Sequence, residues 1–391
     1  MKQIFKWFPM ALAVLMACKT THQVTSIEVC EDNNAIQFRD SKFEELKTSM
    51  RELVELGVPG IAMALITDED TWEHSYGLAS IENQTPMLPC HLHYLQSISK
   101  TYLATAILLM HEEGLIELDE PLDIYLPGAQ SKLIQNASQI TVRMLLNHTS
   151  GIPEYNLQPA YVTDLLQNPV KTFDPSDYLS LIKNKKPDFA PGSGFRYVNT
   201  NYEILALIGD HITGNHASYL QNRIFDPLSL EQTHYRSSQD YLEYNHLYHA
   251  YWDRYSDGIL ENVSEMQRNN VACMIGDDGI VSSPKDAVKF LRALLSGDIV
   301  TKSTLEHMKD WYHDENGKAL YGLGLDHTEF ADHEAYGHSG GGIGAGTQLY
   351  YLPHNNTYFF LGINMGTVTS GPIHNAALPK LAEIHELLVS L

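Results

Sequence analysis

Three stretches place a serine three residues before a lysine: Ser97-Ile98-Ser99-Lys100, Ser180-Leu181-Ile182-Lys183 and Ser282-Ser283-Pro284-Lys285. On a helix, residues i and i+3 share a face, so this spacing brings an amine beside a hydroxyl. An uncharged amine in that place can take the hydroxyl proton and create a nucleophile. The surroundings separate the three. Ser180 falls inside an amphipathic helical stretch whose Lys183, Lys185 and Lys186 form a solvated face. Ser283-Pro284 reads as a helix cap followed by a first-turn proline. Ser97 opens a stretch running to Glu113 with Ala, Leu and Ile nearly all round, which predicts a buried helix. A helix N-terminus offers free N–H groups to an oxyanion. Burial lowers a lysine's pKa, so Lys100 is a candidate base. The same pair also fits a capping serine and a lysine snorkelling to water.

Two further segments carry suitable groups. Tyr197-Val198-Asn199 sits in a loop before a helix predicted from Asn201 to Ile212. A tyrosine serves as acid or base beside a positive charge that lowers its pKa from about 10. Asn199 can donate to a carbonyl, although in isolation the segment reads as a packed loop aromatic. Gly337-His338-Ser339-Gly340-Gly341 ends a predicted strand, and its glycines admit a ligand close to the backbone. Gly-x-Ser-x-Gly is also the pattern of a nucleophile elbow, which needs a helix directly after the serine. Here Gly341 to Gly346 follow and then a strand. No aspartate comes after Ser339, and Glu383 and His385 are two apart on one helix. The elbow reading is therefore set aside.

The elements that must hold these groups are legible in part. Ser41–Leu56 has helical spacing. Gly60–Ile66 is a continuous apolar run that suits a strand covered on both faces. Trp72–Leu78 completes a hairpin with it. Residues 114–274 alternate helical patterns, such as Asp177–Lys183, with loops, and strand signals there are sparse. After Gly279 come a helix opened by Ser283-Pro284 and running to Leu295, then strands at Tyr321–Leu325, Ala335–His338, Gln348–Leu352 and Tyr358–Ile363. Asn355-Asn356 turns between the last two, and a closing helix is predicted from Ala377 to Leu391. The expected fold is mixed α/β: a mostly antiparallel sheet of N- and C-terminal strands flanked by helices, plus a helical subdomain. Residues 41–113 and 275–391 would form the sheet unit and 114–274 the helical one.

The chain has 391 residues and a net charge of −22, with no basic patch, which excludes nucleic acid as a partner. Residues 1–17 have the form of a signal: Lys2 and Lys6 precede an apolar run from Trp7 to Met16, too short to span a bilayer. Leu15-Met16-Ala17-Cys18 resembles the lipobox of bacterial lipoproteins. That resemblance implies cleavage before Cys18, lipidation of its sulfur and an extracytoplasmic protein anchored to a membrane, with residues 18–40 as a tether. Cys30, Cys90 and Cys273 then allow at most one disulfide. Cys90, His91 and His93 look like a metal cluster but fit a structural role better. His111-Glu112-Glu113 lacks the second histidine of a zinc motif, Gly342-x-Gly344 is no dinucleotide fingerprint, and Asp314–Gly317 reads as a turn. No metal or other cofactor is expected.

The order Ser97/Lys100, Tyr197/Asn199, His338/Ser339/Gly340 resembles the serine β-lactamase and penicillin-binding family, in the branch of class C β-lactamases, D-alanyl-D-alanine carboxypeptidases and related esterases. His111–Pro121, Leu145–Gly151, Ile224–Leu228 and Gly279–Ser283 are similar to it too, so the likeness runs from about Ser41 to the C-terminus. It implies Ser97 as the acylated nucleophile, with Lys100 and Tyr197 sharing the general-base work and Tyr197 protonating the leaving group. Asn199 would position Lys100 and the substrate amide. The N–H groups of Ser97 and Gly341 would form the oxyanion hole, and His338 would hold a substrate carboxylate or orient Tyr197. Substrates would be a peptidoglycan stem peptide, a β-lactam or a small ester. Many β-lactamases carry Lys where His338 stands, and members with His are often carboxypeptidase- or esterase-like. A non-catalytic penicillin-binding sensor lipoprotein would keep the fold but typically lack one catalytic group; none is missing here.

Overall fold

The computed structural model describes residues 43–235 and 246–391. The signal, the tether and Cys18 lie outside the described residues. Helix α1 (Glu44–Glu55) carries Leu46, Met50 and Leu53 on one face, and these are buried. Each such burial contributes about 1.5–3 kcal/mol. Strands β1 (Gly60–Ile66) and β2 (Thr71–Ser80) form the expected hairpin, with Gly60 opposite Gly77 and Ile66 opposite Thr71. Helix α2 (Ser99–Glu112) is buried nearly all round. The middle of the chain is mainly helical and includes α3 (Thr200–Thr213). Strand β3 (Ile280–Ser282) leads into α4 (Pro284–Ser296), whose N-cap Ser283 accepts from the Asp286 N–H. Then follow β4 (Asp326–Phe330), β5 (His333–Gly341), β6 (Gly346–Leu352), β7 (Thr357–Ile363) and helix α5 (Pro372–Val389).

Among the described residues the main sheet has nine strands, all antiparallel to their neighbours, with β2-β1-β7-β6-β5-β4 in the middle. Thr85–Pro86 flanks one edge; Ala319–Tyr321 and then Tyr312–His313 flank the other. Both ends of the chain therefore build one sheet. β1 is an interior strand between β2 and β7, with both faces covered, which is why its sequence is apolar and lacks alternation. Ile61, Met63 and Leu65 face α1 and α5. Ala64 joins the core that contains α2, α3 and α4.

Two expectations are corrected. Tyr321–Leu325 is not a continuous strand: pairing stops at Tyr321, and Gly322–Leu325 turns, with the Gly322 N–H donating to the Leu325 carbonyl at 2.8 Å. Gly324 has φ +82°, and a Cβ there would lie 2.1 Å from the Cβ of Ala104. The turn thus lies hard against α2, a contact no local pattern encodes. The closing helix starts at Pro372, not Ala377, and runs through Pro379. A second small sheet also pairs His93–Tyr94 and Thr233–Tyr235 with β3. Strands of two or three residues leave no periodicity to read.

Candidate active site

The turn before α2 is a short 3-10 segment, Gln96–Ile98, so Ser97 stands just ahead of the helix proper. Gln96 is held in the left-handed region at φ +52°. Such a conformation in a non-glycine residue costs of order 1–3 kcal/mol and must be held by its surroundings. Those surroundings are visible. The Leu95 N–H donates to the Ile280 carbonyl at 3.0 Å, and the Ile280 N–H donates to Ser99 Oγ at 3.1 Å. On the other side Thr347 Oγ1 donates to the Leu95 carbonyl at 3.0 Å. A Cβ on Gly340 would lie 2.3 Å from that same carbonyl, so only glycine lets β5 close on the turn.

Within this frame Lys100 Nζ lies 2.8 Å from Ser97 Oγ and 3.3 Å from the Asp277 carbonyl. Ser97 is half-buried, whereas Lys100 is fully buried and does not snorkel. Tyr197 arrives from the loop before α3, its ring centroid 5.1 Å from Lys100 Nζ. Its hydroxyl is buried and makes no hydrogen bond within 3.5 Å. Burial pushes the phenol well above its ordinary pKa, and the nearby Ser97 hydroxyl only partly opposes this. The expected lowering by a positive charge is therefore outweighed, and Tyr197 is a neutral phenol. Asn199 caps α3, and its N–H donates to Glu154 Oε2 at 2.5 Å.

His338 lies on β5 with its side chain buried, whereas Ser339 and Gly341 are exposed. Ser339 is followed by more strand and then a hairpin, which disposes of the elbow. His338 Nδ1 is 2.5 Å from the Ser339 carbonyl and so carries the proton. Nε2 is 2.9 Å from Tyr321 Oη and so accepts from it. Burial first, then the charge of Lys100, pull the imidazole down to about 3. Neutral, with both nitrogens engaged, it offers nothing to a substrate carboxylate. Its ring centroid is instead 5.9 Å from that of Tyr197, which suits the orienting role.

Several groups at the site escaped the sequence reading of roles. His148, buried and with φ +61°, packs its ring 4.3 Å from Tyr197. Asn201 gives its amide to His148 Nδ1 at 3.2 Å, having accepted from Ser150 at 2.7 Å, so the proton sits on Nε2. Tyr321 holds His338. Four buried carboxyls, Glu154, Glu203, Asp277 and Asp278, interact with one another, and Glu154 and Asp278 also feel the Lys100 charge. The adjacent acids Asp277-Asp278, in an otherwise apolar and glycine stretch, were the available signal. Cys90 is disulfide-bonded, and Cys273 is a buried thiol that donates to the Asn269 carbonyl at 3.2 Å. His93 packs 4.9 Å from Tyr248 and 5.5 Å from Phe360, in the core.

Comparison with known proteins identifies the family. The family model described as Beta-lactamase matches residues 42–378. The chain is 26% identical over 318 residues to penicillin-binding protein 4* of Bacillus subtilis, covering 77% of this chain and 67% of that protein. The D-stereospecific amidohydrolase of Streptomyces sp. shares 27% identity and a TM-score of 0.72, over 82% of this chain and 93% of its own. The D-amino acid amidase of Ochrobactrum anthropi has a similar fold, with a TM-score of 0.78 at 24% identity, over 90% of this chain and 99% of its own. With the matched region reaching across both ends of the sheet and the helices between, the chain belongs to the β-lactamase family of serine hydrolases.

Proposed function

We propose that Ser97 is the nucleophile of an acyl-transfer hydrolase acting on a D-amino-acid peptide or amide, a β-lactam or an ester. The carrying observation is the 2.8 Å contact of Ser97 Oγ with the buried amine of Lys100. Lys100 Nζ sits against the Ser97 hydroxyl and the Asp277 carbonyl, and in its deprotonated form it can accept the Ser97 proton. It takes that proton as Oγ attacks the carbonyl carbon. Tyr197, a neutral phenol, protonates the leaving group and regains a proton from Lys100; in the second half water gives a proton to Lys100 as it attacks the acyl carbon, and Ser97 Oγ takes a proton back as the acid departs. The N–H groups of Ser97 and Gly341 receive the oxyanion, and Asn199 steadies the substrate amide. The neutral His338 favours a substrate without a carboxylate, so esters and amides rank ahead of peptidoglycan stem peptides and β-lactams. Treating the protein with p-nitrophenyl acetate and weighing it tests the reading: an acyl mass adduct on Ser97, absent in Ser97→Ala, is expected.

We also infer an extracytoplasmic enzyme held on a membrane by lipid on Cys18. The signal-like segment supports it, as does the disulfide at Cys90, a bond typical of oxidising compartments. Metabolic labelling with an alkyne fatty acid tests it, with loss of label expected in Cys18→Ser.

A further inference from the structure

Tyr197 reaches the nucleophile from a loop. A phenol that passes a proton to a leaving group has to be placed closely, since a displacement of about 1 Å can cost about 10²-fold in rate. Helix α3 begins only at Thr200, three residues later, and the Tyr197 hydroxyl has no hydrogen bond to anchor it. The anchor comes from a different element. His148 stands two residues after a short helix, Val142–Leu146, and grips the loop at three points. Its carbonyl accepts from the Arg196 N–H at 3.1 Å. Its Nδ1 accepts from the Val198 N–H at 3.3 Å. Its ring centroid lies 4.3 Å from that of Tyr197. The backbone on both sides of Tyr197 and the Tyr197 ring are therefore tied to one residue.

His148 is itself locked. It is fully buried at φ +61°, a left-handed conformation that histidine takes more readily than most residues and that its surroundings must hold. Tyr202 Oη donates to the Leu146 carbonyl at 2.8 Å on one side, and the Gly192 N–H donates to the Thr149 carbonyl at 2.8 Å on the other. Asn201, oriented by the Ser150 hydroxyl at 2.7 Å, gives Nδ1 a second N–H donor at 3.2 Å. Nε2 is buried without a hydrogen bond, so the grip runs through Nδ1 and the carbonyl. Burial first, then the charges of Lys100 and His338, keep the imidazole neutral, as acceptance at Nδ1 requires. We propose that His148 is a positioning residue: accepting from the chain on both sides of Tyr197, it fixes the phenol where it protonates the leaving group. This rests on the reading of Ser97 as the nucleophile and Tyr197 as the acid.

A residue that acts through the acid affects substrates according to their leaving groups. p-Nitrophenolate departs without a proton, whereas ethoxide needs one. The test compares kcat/KM, which reports acylation, for p-nitrophenyl acetate and ethyl acetate on the full-length enzyme. The variants are His148→Gly and His148→Asn, both compatible with the left-handed backbone; only the second keeps a side-chain acceptor. His148→Gly is expected to lose at least about 10²-fold more on the ethyl ester than on the p-nitrophenyl ester. His148→Asn should recover at least about 10-fold of that excess, and adding His148→Gly to Tyr197→Phe should cost no further selectivity, since the two act as a unit. Equal losses on the two esters, or no recovery in a folded His148→Asn, overturn the proposal. If neither variant folds, Ser150→Ala, which frees the Asn201 amide, must still slow the ethyl ester selectively, and equal rates there overturn it too. A native enzyme that is acylated at Ser97 by p-nitrophenyl acetate but leaves ethyl acetate untouched has no placed acid, which refutes the role of His148 alone. Failure of p-nitrophenyl acetate to acylate Ser97 refutes the proposed function and the role of His148 with it.

Discussion

Lys100 places its amine 2.8 Å from the Ser97 hydroxyl while remaining shut off from solvent. Replacing it with methionine keeps the volume and removes the base. Lys100→Met is expected to lower kcat by about 10³-fold or more, and Ser97→Ala by at least as much, since groups acting as a unit are each indispensable. Steady-state ester hydrolysis checks this, and circular dichroism should show both variants folded.

Tyr197 offers a cleaner deletion. Its hydroxyl has no hydrogen-bond partner, so removing it leaves no orphaned group behind. Tyr197→Phe is expected to lose about 10²–10⁴-fold in kcat with little change in melting temperature. A fall in stability as large as a core truncation would contradict the position described here.

The pKa of His338 sets an acid limit. Its folded value, about 3, is below the ordinary 6.5, so the unfolded chain binds the extra proton between those values. The stability this histidine contributes is complete above about pH 6.5 and is lost as pH falls toward 3. Relative to the native protein, His338→Gln should therefore become progressively less destabilising from pH 6.5 down to 4. Denaturant titration across that range reads the difference.

Asp278 has the opposite slope. Its folded value, about 8, exceeds the ordinary 3.8, so the native state binds the proton between them. Native stability from this group declines as pH climbs from about 4 to about 8. The melting temperature of Asp278→Asn should rise relative to the native protein over the same interval and level off above it.

Gly340 tests the seam between β5 and the nucleophile turn. A methyl group there would lie 2.3 Å from the Leu95 carbonyl and 2.8 Å from Gln96 Cβ. Gly340→Ala is expected to cost about 1–3 kcal/mol through overpacking, and to lower kcat more than it raises KM. Chemical denaturation together with kinetics checks both parts.

The sequence by itself determined the three candidate segments, the β1–β2 hairpin and the buried character of α2, because side-chain spacing and apolar runs are local properties. It also determined that Ser97, and neither Ser180 nor Ser282, had the right neighbourhood. What only the tertiary structure decided is the electrostatic state of the site. Whether His338 is charged depends on burial and on Lys100, which is distant in the chain. Whether Tyr197 is a phenol depends on desolvation that no dipeptide reveals. The carboxyls of Glu203, Asp277 and Asp278 meet only because α3 and the segment before β3 pack together there. Spacing along a chain fixes which groups can share an element; the dielectric and the charges they meet are fixed by elements that are distant in sequence.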